Sequence, residues 1–249
     1  MACKEPAPSS TPSPTHAPAS PAARAPAKTS PSGPAAPALA LVEFTTGGAD
    51  ESQPLPLVLA LHGLGDRPEN FGGWLRALPA PARVDVLRAP MAYGDGFSWF
   101  EPTGRSVVDA GSLGPGVEAA ARRVLSDLDA LVARRPTRGR PVLTGFSQGG
   151  MISFAVAALA PERIAAALPI GGVLPTAIEP PAAPAKAPLL VAFHGADDAR
   201  VPVGLARTSV ERFRGRGWGA ELRAYPGVGH SIGPDERRDL LQALASCLP

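Results

Sequence analysis

The sequence predicts an α/β protein built on a mostly parallel sheet with helices packed on both faces. Three observations carry that expectation. Short continuous apolar runs ended by Gly or Pro recur from residue 38 onward, as strands buried on both faces require. Amphipathic stretches with a helical repeat separate them, and strands alternating with helices make a parallel sheet. Several runs end in His-Gly or in Gly-x-Ser, which suits a sheet whose sites gather outside the carboxyl ends of its strands.

Taken in order, the chain opens with "MACKEPAPSSTPSPTHAPASPAARAPAKTSPSGPAAP", residues 1–37. Pro, Ala, Ser and Thr offer too little apolar surface to offset the entropy of ordering a segment, so a disordered tail or tether is expected here. Residues 38–249 then form one catalytic domain. Strands are expected at "PLVLALHG" (Pro56 to Gly63), "VDVLRAP" (Val84 to Pro90), "PVLTGF" (Pro141 to Phe146), "IAAALPIGG" (Ile164 to Gly172) and "PLLVAFHG" (Pro188 to Gly195). A last strand should precede "GVGHSIG". Between them, Val117 to Arg135 places Val117, Ala120, Ala121, Val124, Leu128 and Leu131 on one helical stripe. Further helices are expected at "MISFAVAALA", "LARTSVERFRGRG" and "PDERRDLLQALASCLP".

Composition narrows the function. A formal charge of +2 is near balance, and the basic run Arg134 to Arg140 sits between a helix and a strand, where it reads as a solvated loop; no nucleic-acid partner is expected. The two cysteines, Cys3 and Cys247, stand at opposite ends of the chain, and the four histidines are scattered. Neither a disulfide framework nor a metal or cofactor site is expected from such spacing. No long charge-free apolar run occurs, so no membrane span is expected. Cys3 ahead of a Pro/Ala/Ser tether resembles the start of a mature bacterial lipoprotein, which would make it a lipidated membrane tether; a low-complexity tail on a cytoplasmic protein is the alternative.

Two segments match Gly-x-Ser-x-Gly: "GFSQG" around Ser147 and "GHSIG" around Ser231. Ser147 directly follows an apolar strand and is followed at once by a helical pattern, the strand, sharp turn and helix of a nucleophile elbow. Gly145 and Gly149 leave room where neighbouring backbone must pass close to a strained serine. Ser231 is reached through Pro226 and two glycines, and Pro234 delays the helix after it. Chain order also counts against Ser231, because an α/β-hydrolase runs Ser, then acid, then His, and no histidine follows it. His16 lies in the tail, His62 precedes Ser147, and His194 stands ahead of the acids in its own "HGADD" turn, so His230 completes the order. Asp197 and Asp198 are adjacent candidates for the acid, and periodicity does not choose between them. A dinucleotide fingerprint at "LHGLGD" is the rival reading of that loop, but Pro68 fills its third glycine position. Trp99 and Phe100 read as packing or pocket-wall residues, and Ser98 lacks the glycine turn of a nucleophile.

Four motifs in order, "LHGLGD" (Leu61 to Asp66), "GFSQGG" (Gly145 to Gly150), "HGADDARVP" (His194 to Pro202) and "GVGHSI" (Gly227 to Ile232), resemble the phospholipase/carboxylesterase family of α/β-hydrolases, which includes acyl-protein thioesterases and small bacterial carboxylesterases. The resemblance runs from about Leu55 to the C-terminus. It implies the α/β-hydrolase fold and a serine esterase acting on small-molecule esters, thioesters and lysophospholipid esters included. The acid of Asp-x-x-Val-Pro then falls on Asp198, and the oxyanion donors on the backbone N–H groups of Leu64 and Gln148. "GFSWF" resembles the family's Trp-Phe-Asp segment, with Glu101 in place of the aspartate. The competing expectations are a serine peptidase of the same fold and a catalytically inactive hydrolase scaffold serving as a binding module.

Overall fold

The computed structural model describes residues 38–102 and 112–249. The tail assigned to residues 1–37, with Cys3, lies outside the described residues. Seven strands form one sheet: β1 (Leu41–Thr46), β2 (Leu57–Leu61), β3 (Ala82–Leu87), then, past a small separate hairpin of β4 (Met91–Tyr93) and β5 (Gly96–Ser98), β6 (Val142–Phe146), β7 (Ala166–Ile170), β8 (Leu189–Gly195) and β9 (Ala220–Tyr225). Their order across the sheet is β1-β3-β2-β6-β7-β8-β9. All neighbouring pairs are parallel except β1 with β3, where Leu41 faces Leu87 and Thr46 faces Ala82. This is the α/β-hydrolase arrangement expected from the alternating runs.

Helices α1 (Pro68–Leu75), α2 (Gly114–Arg134), α3 (Gln148–Leu159), α4 (Val203–Arg214) and α5 (Pro234–Cys247) cover the sheet. Successive side chains of a strand point to opposite faces, and β2 shows the result. Leu57, Leu59 and Leu61 join a core with Val117, Val124 and Leu128 of α2, Ile152 and Phe154 of α3 and Phe213 of α4. Val58 and Ala60 join a second core with Phe71 and Leu75 of α1 and Leu240 and Leu244 of α5. All six residues of the stripe expected on α2 are buried.

Three features depart from the sequence expectation by addition. β1 is an antiparallel edge strand that leaves Glu43 exposed, and it runs straight out of the low-complexity segment. α1 spans only eight residues and contains Gly72 and Gly73, both unfavourable in a helix interior. The β4–β5 hairpin has three residues a side, below the length at which alternation can be read. Among the described residues, no helix is long and apolar enough to cross a membrane.

Candidate active site

The carboxyl ends of β2, β6, β8 and β9 carry the loops that hold the candidate residues. Ser147 lies between the end of β6 and the first residue of α3. With φ 55° and ψ −111°, it is the one described non-glycine residue at positive φ, a strained geometry that persists only where its surroundings impose it. Those surroundings are backbone. The Ser147 N–H donates to the Ile170 carbonyl at 2.9 Å, and its own carbonyl accepts the Met151 N–H at 2.9 Å. A Cβ on Gly149 would stand 2.2 Å from the Leu61 carbonyl oxygen, and one on Gly145 would stand 2.5 Å from the Gly149 carbonyl oxygen. Any side chain at either position would force the elbow open.

His230, on the loop between β9 and α5, reaches Ser147 with Nε2 2.9 Å from Oγ. Its Nδ1 lies 2.7 Å from Asp198 Oδ2. Asp198 is buried, and its other oxygen, Oδ1, accepts the N–H groups of Arg200 at 2.9 Å and Val201 at 2.8 Å. The carboxylate is therefore aimed from both ends. Because Nδ1 faces a carboxylate, it carries the ring proton in the neutral imidazole, leaving Nε2 to accept the serine hydroxyl proton.

Asp197 is exposed and does something different: its Oδ2 accepts the Gly227 N–H at 3.0 Å, and its N–H donates to the Val228 carbonyl at 3.0 Å. It ties the turn after β8 to the loop that bears His230. Gly195 allows the close approach, since a Cβ there would fall 2.3 Å from the carbonyl oxygens of both Val228 and Gly229. Ser231 sits on the exposed side of this loop, its N–H turned back to the Gly229 carbonyl at 2.9 Å. The structure gives it neither the strained backbone nor the histidine contact that Ser147 has.

The other two described histidines are buried, His194 with its Nε2 3.5 Å from Asp198 Oδ2. His62 Nε2 accepts the Ala89 N–H at 3.1 Å, so Nδ1 is the donor to the Gly63 carbonyl at 2.7 Å. His194 places Nε2 2.7 Å from the Val201 carbonyl. Burial holds both below the ordinary histidine range. Among the described residues, no group of His, Cys, Asp or Glu is arranged to hold a metal.

Leu64 lies in the loop after β2, and Gln148 is the first residue of α3. Neither backbone N–H has a hydrogen-bond acceptor among the described residues. The amide at a helix start is unpaired by construction and sits at the positive end of the helix dipole. Two side-chain roles escaped the sequence reading. The Gln148 side chain is buried and bonded to the segment Ser98–Phe100. Glu236, in the first turn of α5, is fully buried with Oε2 accepting the Gly233 N–H at 3.2 Å. Burial, with the Asp198 charge adding to it, pushes its carboxyl up to about 7. An acidic residue three places past a helix start is a capping signal, and "GPDE" carried it.

A family model of phospholipases and carboxylesterases matches residues 48–248. The chain belongs to that family. Within the phospholipase/carboxylesterase family, it is similar to acyl-protein thioesterase 1 of Gibberella zeae, 31% identical over 116 residues, 44% of this chain. That match covers 49% of the thioesterase, about half its length. A probable carboxylesterase of Oryza sativa subsp. japonica is 29% identical over 199 residues, 72% of this chain and 73% of that protein. Among solved structures, esterase PE8 is similar with a TM-score of 0.72 at 23% identity, over 85% of this chain and 100% of that one; an identity so low speaks for the fold alone.

Proposed function

We propose that the chain is a serine carboxylesterase that works through an acyl-enzyme. The observation that carries this reading is the continuous relay Ser147 Oγ to His230 Nε2 at 2.9 Å and His230 Nδ1 to Asp198 Oδ2 at 2.7 Å. It begins at a strained elbow, and the Leu64 and Gln148 amides have no acceptor of their own among the described residues. His230 Nε2 takes the Ser147 proton as Oγ attacks the ester carbonyl. Asp198 keeps Nδ1 protonated and stabilises the imidazolium that forms. The Leu64 and Gln148 N–H groups donate to the oxyanion of the tetrahedral intermediate. His230 then passes its proton to the leaving alkoxide or thiolate, which departs and leaves the acyl group on Ser147. In the second half His230 deprotonates water, the hydroxide attacks the acyl carbonyl, and the acid leaves with Ser147 reprotonated. Carboxylic esters, acyl thioesters and lysophospholipid esters share this chemistry.

The test is hydrolysis of a short p-nitrophenyl ester with fluorophosphonate labelling of the intact protein. Ser147→Ala should lower kcat by about 10⁴- to 10⁶-fold and abolish labelling, while Ser231→Ala should retain most of both. An active Ser147→Ala variant beside a dead Ser231→Ala variant would overturn the assignment. A wild-type chain that neither turns over nor labels would leave the inactive binding scaffold as the better reading.

A further inference from the structure

We propose that the Gln148 carboxamide positions the oxyanion hole, by clamping the segment Phe97–Phe100 between the two amides that receive the oxyanion. The proposal rests on the serine-esterase reading and adds a role for a side chain that reading does not use. The loop carrying the Leu64 amide belongs to no helix or strand of the main sheet. What holds it is the segment after the β4–β5 turn. Gly65 N–H donates to the Phe97 carbonyl at 2.8 Å, Phe97 N–H donates to the Asp66 carbonyl at 3.1 Å, and Trp99 Nε1–H donates to the His62 carbonyl at 2.9 Å. The contact is close enough that a Cβ on Gly96 would fall 2.2 Å from the Gly65 carbonyl oxygen.

The same segment is hydrogen-bonded from its other side by the Gln148 side chain, at the start of α3. Gln148 Oε1 accepts the Trp99 N–H at 3.0 Å, and Nε2 donates to the Phe100 carbonyl and to Ser98 Oγ, both at 3.2 Å. Ser98 spends its one proton on the Phe100 carbonyl at 2.6 Å, so toward Gln148 it acts as acceptor. The carboxamide thus takes a backbone N–H and a backbone C=O from two consecutive residues. Ser98, Trp99, Phe100 and Gln148 are all buried, where an unpaired amide is costly and a paired one fixes geometry. An unbroken chain of bonds therefore links the Gln148 backbone to the residues flanking Leu64. An oxyanion hole works only when its donors are already aimed.

The discriminating readout compares an oxygen ester with its thionoester, in which C=S replaces C=O. Sulfur is the weaker acceptor, so a well-aimed hole favours the oxygen substrate and a disordered one does not. Gln148→Met keeps the side chain's length and removes all three polar contacts. It should lower kcat for the oxygen ester by about 10- to 100-fold with KM within about twofold. The oxygen-to-sulfur ratio should fall by a similar factor. Ser98→Ala, which removes one acceptor of the clamp, should shift the ratio the same way by a smaller factor. It serves as the test if Gln148→Met does not fold. Equal losses on both substrates, or an unchanged ratio in a folded Gln148→Met or, failing that, in Ser98→Ala, would overturn the proposal. Wild type without turnover or fluorophosphonate labelling would instead overturn the parent reading and this one with it, so the two failures are distinguishable.

Discussion

Glu236 offers a sharp test of the packing behind the His230 loop. Its carboxyl is fully buried, with one oxygen on the Gly233 N–H and the other, Oε1, without a hydrogen-bond partner. Burial, then the nearby Asp198 charge, lifts its titration from the ordinary 4.5 to about 7. Below about pH 4.5 the group is protonated in both the folded and unfolded chain and contributes no pH dependence. Between about 4.5 and 7 the unfolded chain gives up the proton and the folded chain keeps it, so stability falls as pH rises. Above about 7 both forms are ionised and the loss is complete. At ~1.4 kcal/mol per pH unit, that window amounts to about 3 kcal/mol. Glu236→Gln keeps the oxygen that accepts the Gly233 N–H and cannot ionise. Urea unfolding of both proteins at pH 5, 6, 7 and 8 should show the variant gaining on wild type by most of that amount as pH rises. Asp85, pushed up to about 6 by burial in β3, titrates in both proteins and cancels in the difference. A difference that stays flat to within about 0.5 kcal/mol from pH 5 to 8 would show that Glu236 ionises in the fold as freely as in the unfolded chain, and the argument from burial would fail.

Asp198→Asn should lower kcat by about four orders of magnitude by misorienting the His230 ring, whereas Asp197→Asn, which keeps an oxygen for Gly227, should cost less than about tenfold. Steady-state kinetics on one ester decides this, and equal losses would dissolve the division between the two. Gly149→Ala drives a methyl into the Leu61 carbonyl oxygen and should cost on the order of 3 kcal/mol. Gly204→Ala, which points into open space, should be neutral or slightly stabilising. Calorimetric Tm values that match for these two variants would refute the close-approach argument. Removing residues 1–36 should leave kcat/KM within about twofold of the full chain. If the tail anchors the protein, mass spectrometry of material from its native host should find lipid on Cys3, and an unmodified Cys3 would remove that proposal.

The parallel strands were legible because burial on both faces leaves an unmistakable apolar run, as in "PLVLAL" and "PVLTGF". Ser147 was legible because an elbow is a local event, written in consecutive residues with glycines two places away. His230 followed from chain order. The choice between Asp197 and Asp198 was not legible from spacing. What separates them is which carboxylate meets His230 across 32 residues of sequence and which meets Gly227 across 30. The Gln148 clamp was hidden for the same reason, since its partners lie 48 to 50 residues away. The edge strand β1, the short hairpin and the glycine-containing α1 escaped because each falls below the length or purity at which a hydrophobic period can be read.

The paired aspartates after β8 also decide how freely the His230 loop can move. Asp198 grips the histidine ring and Asp197 grips the backbone at Gly227, so the His230 loop is riveted to the end of β8 at two points. Pulling that loop away from β8 would break a buried carboxylate contact and the Asp198–His230–Ser147 hydrogen-bond relay together. The β4–β5 hairpin, whose Tyr93 stands 44% exposed, meets the Leu64 loop through the Gly65–Phe97 and Phe97–Asp66 backbone hydrogen bonds. A substitution at the exposed Tyr93 touches none of the bonds of that relay, so it should leave the His230 loop in place where one at Asp197 or Asp198 should not.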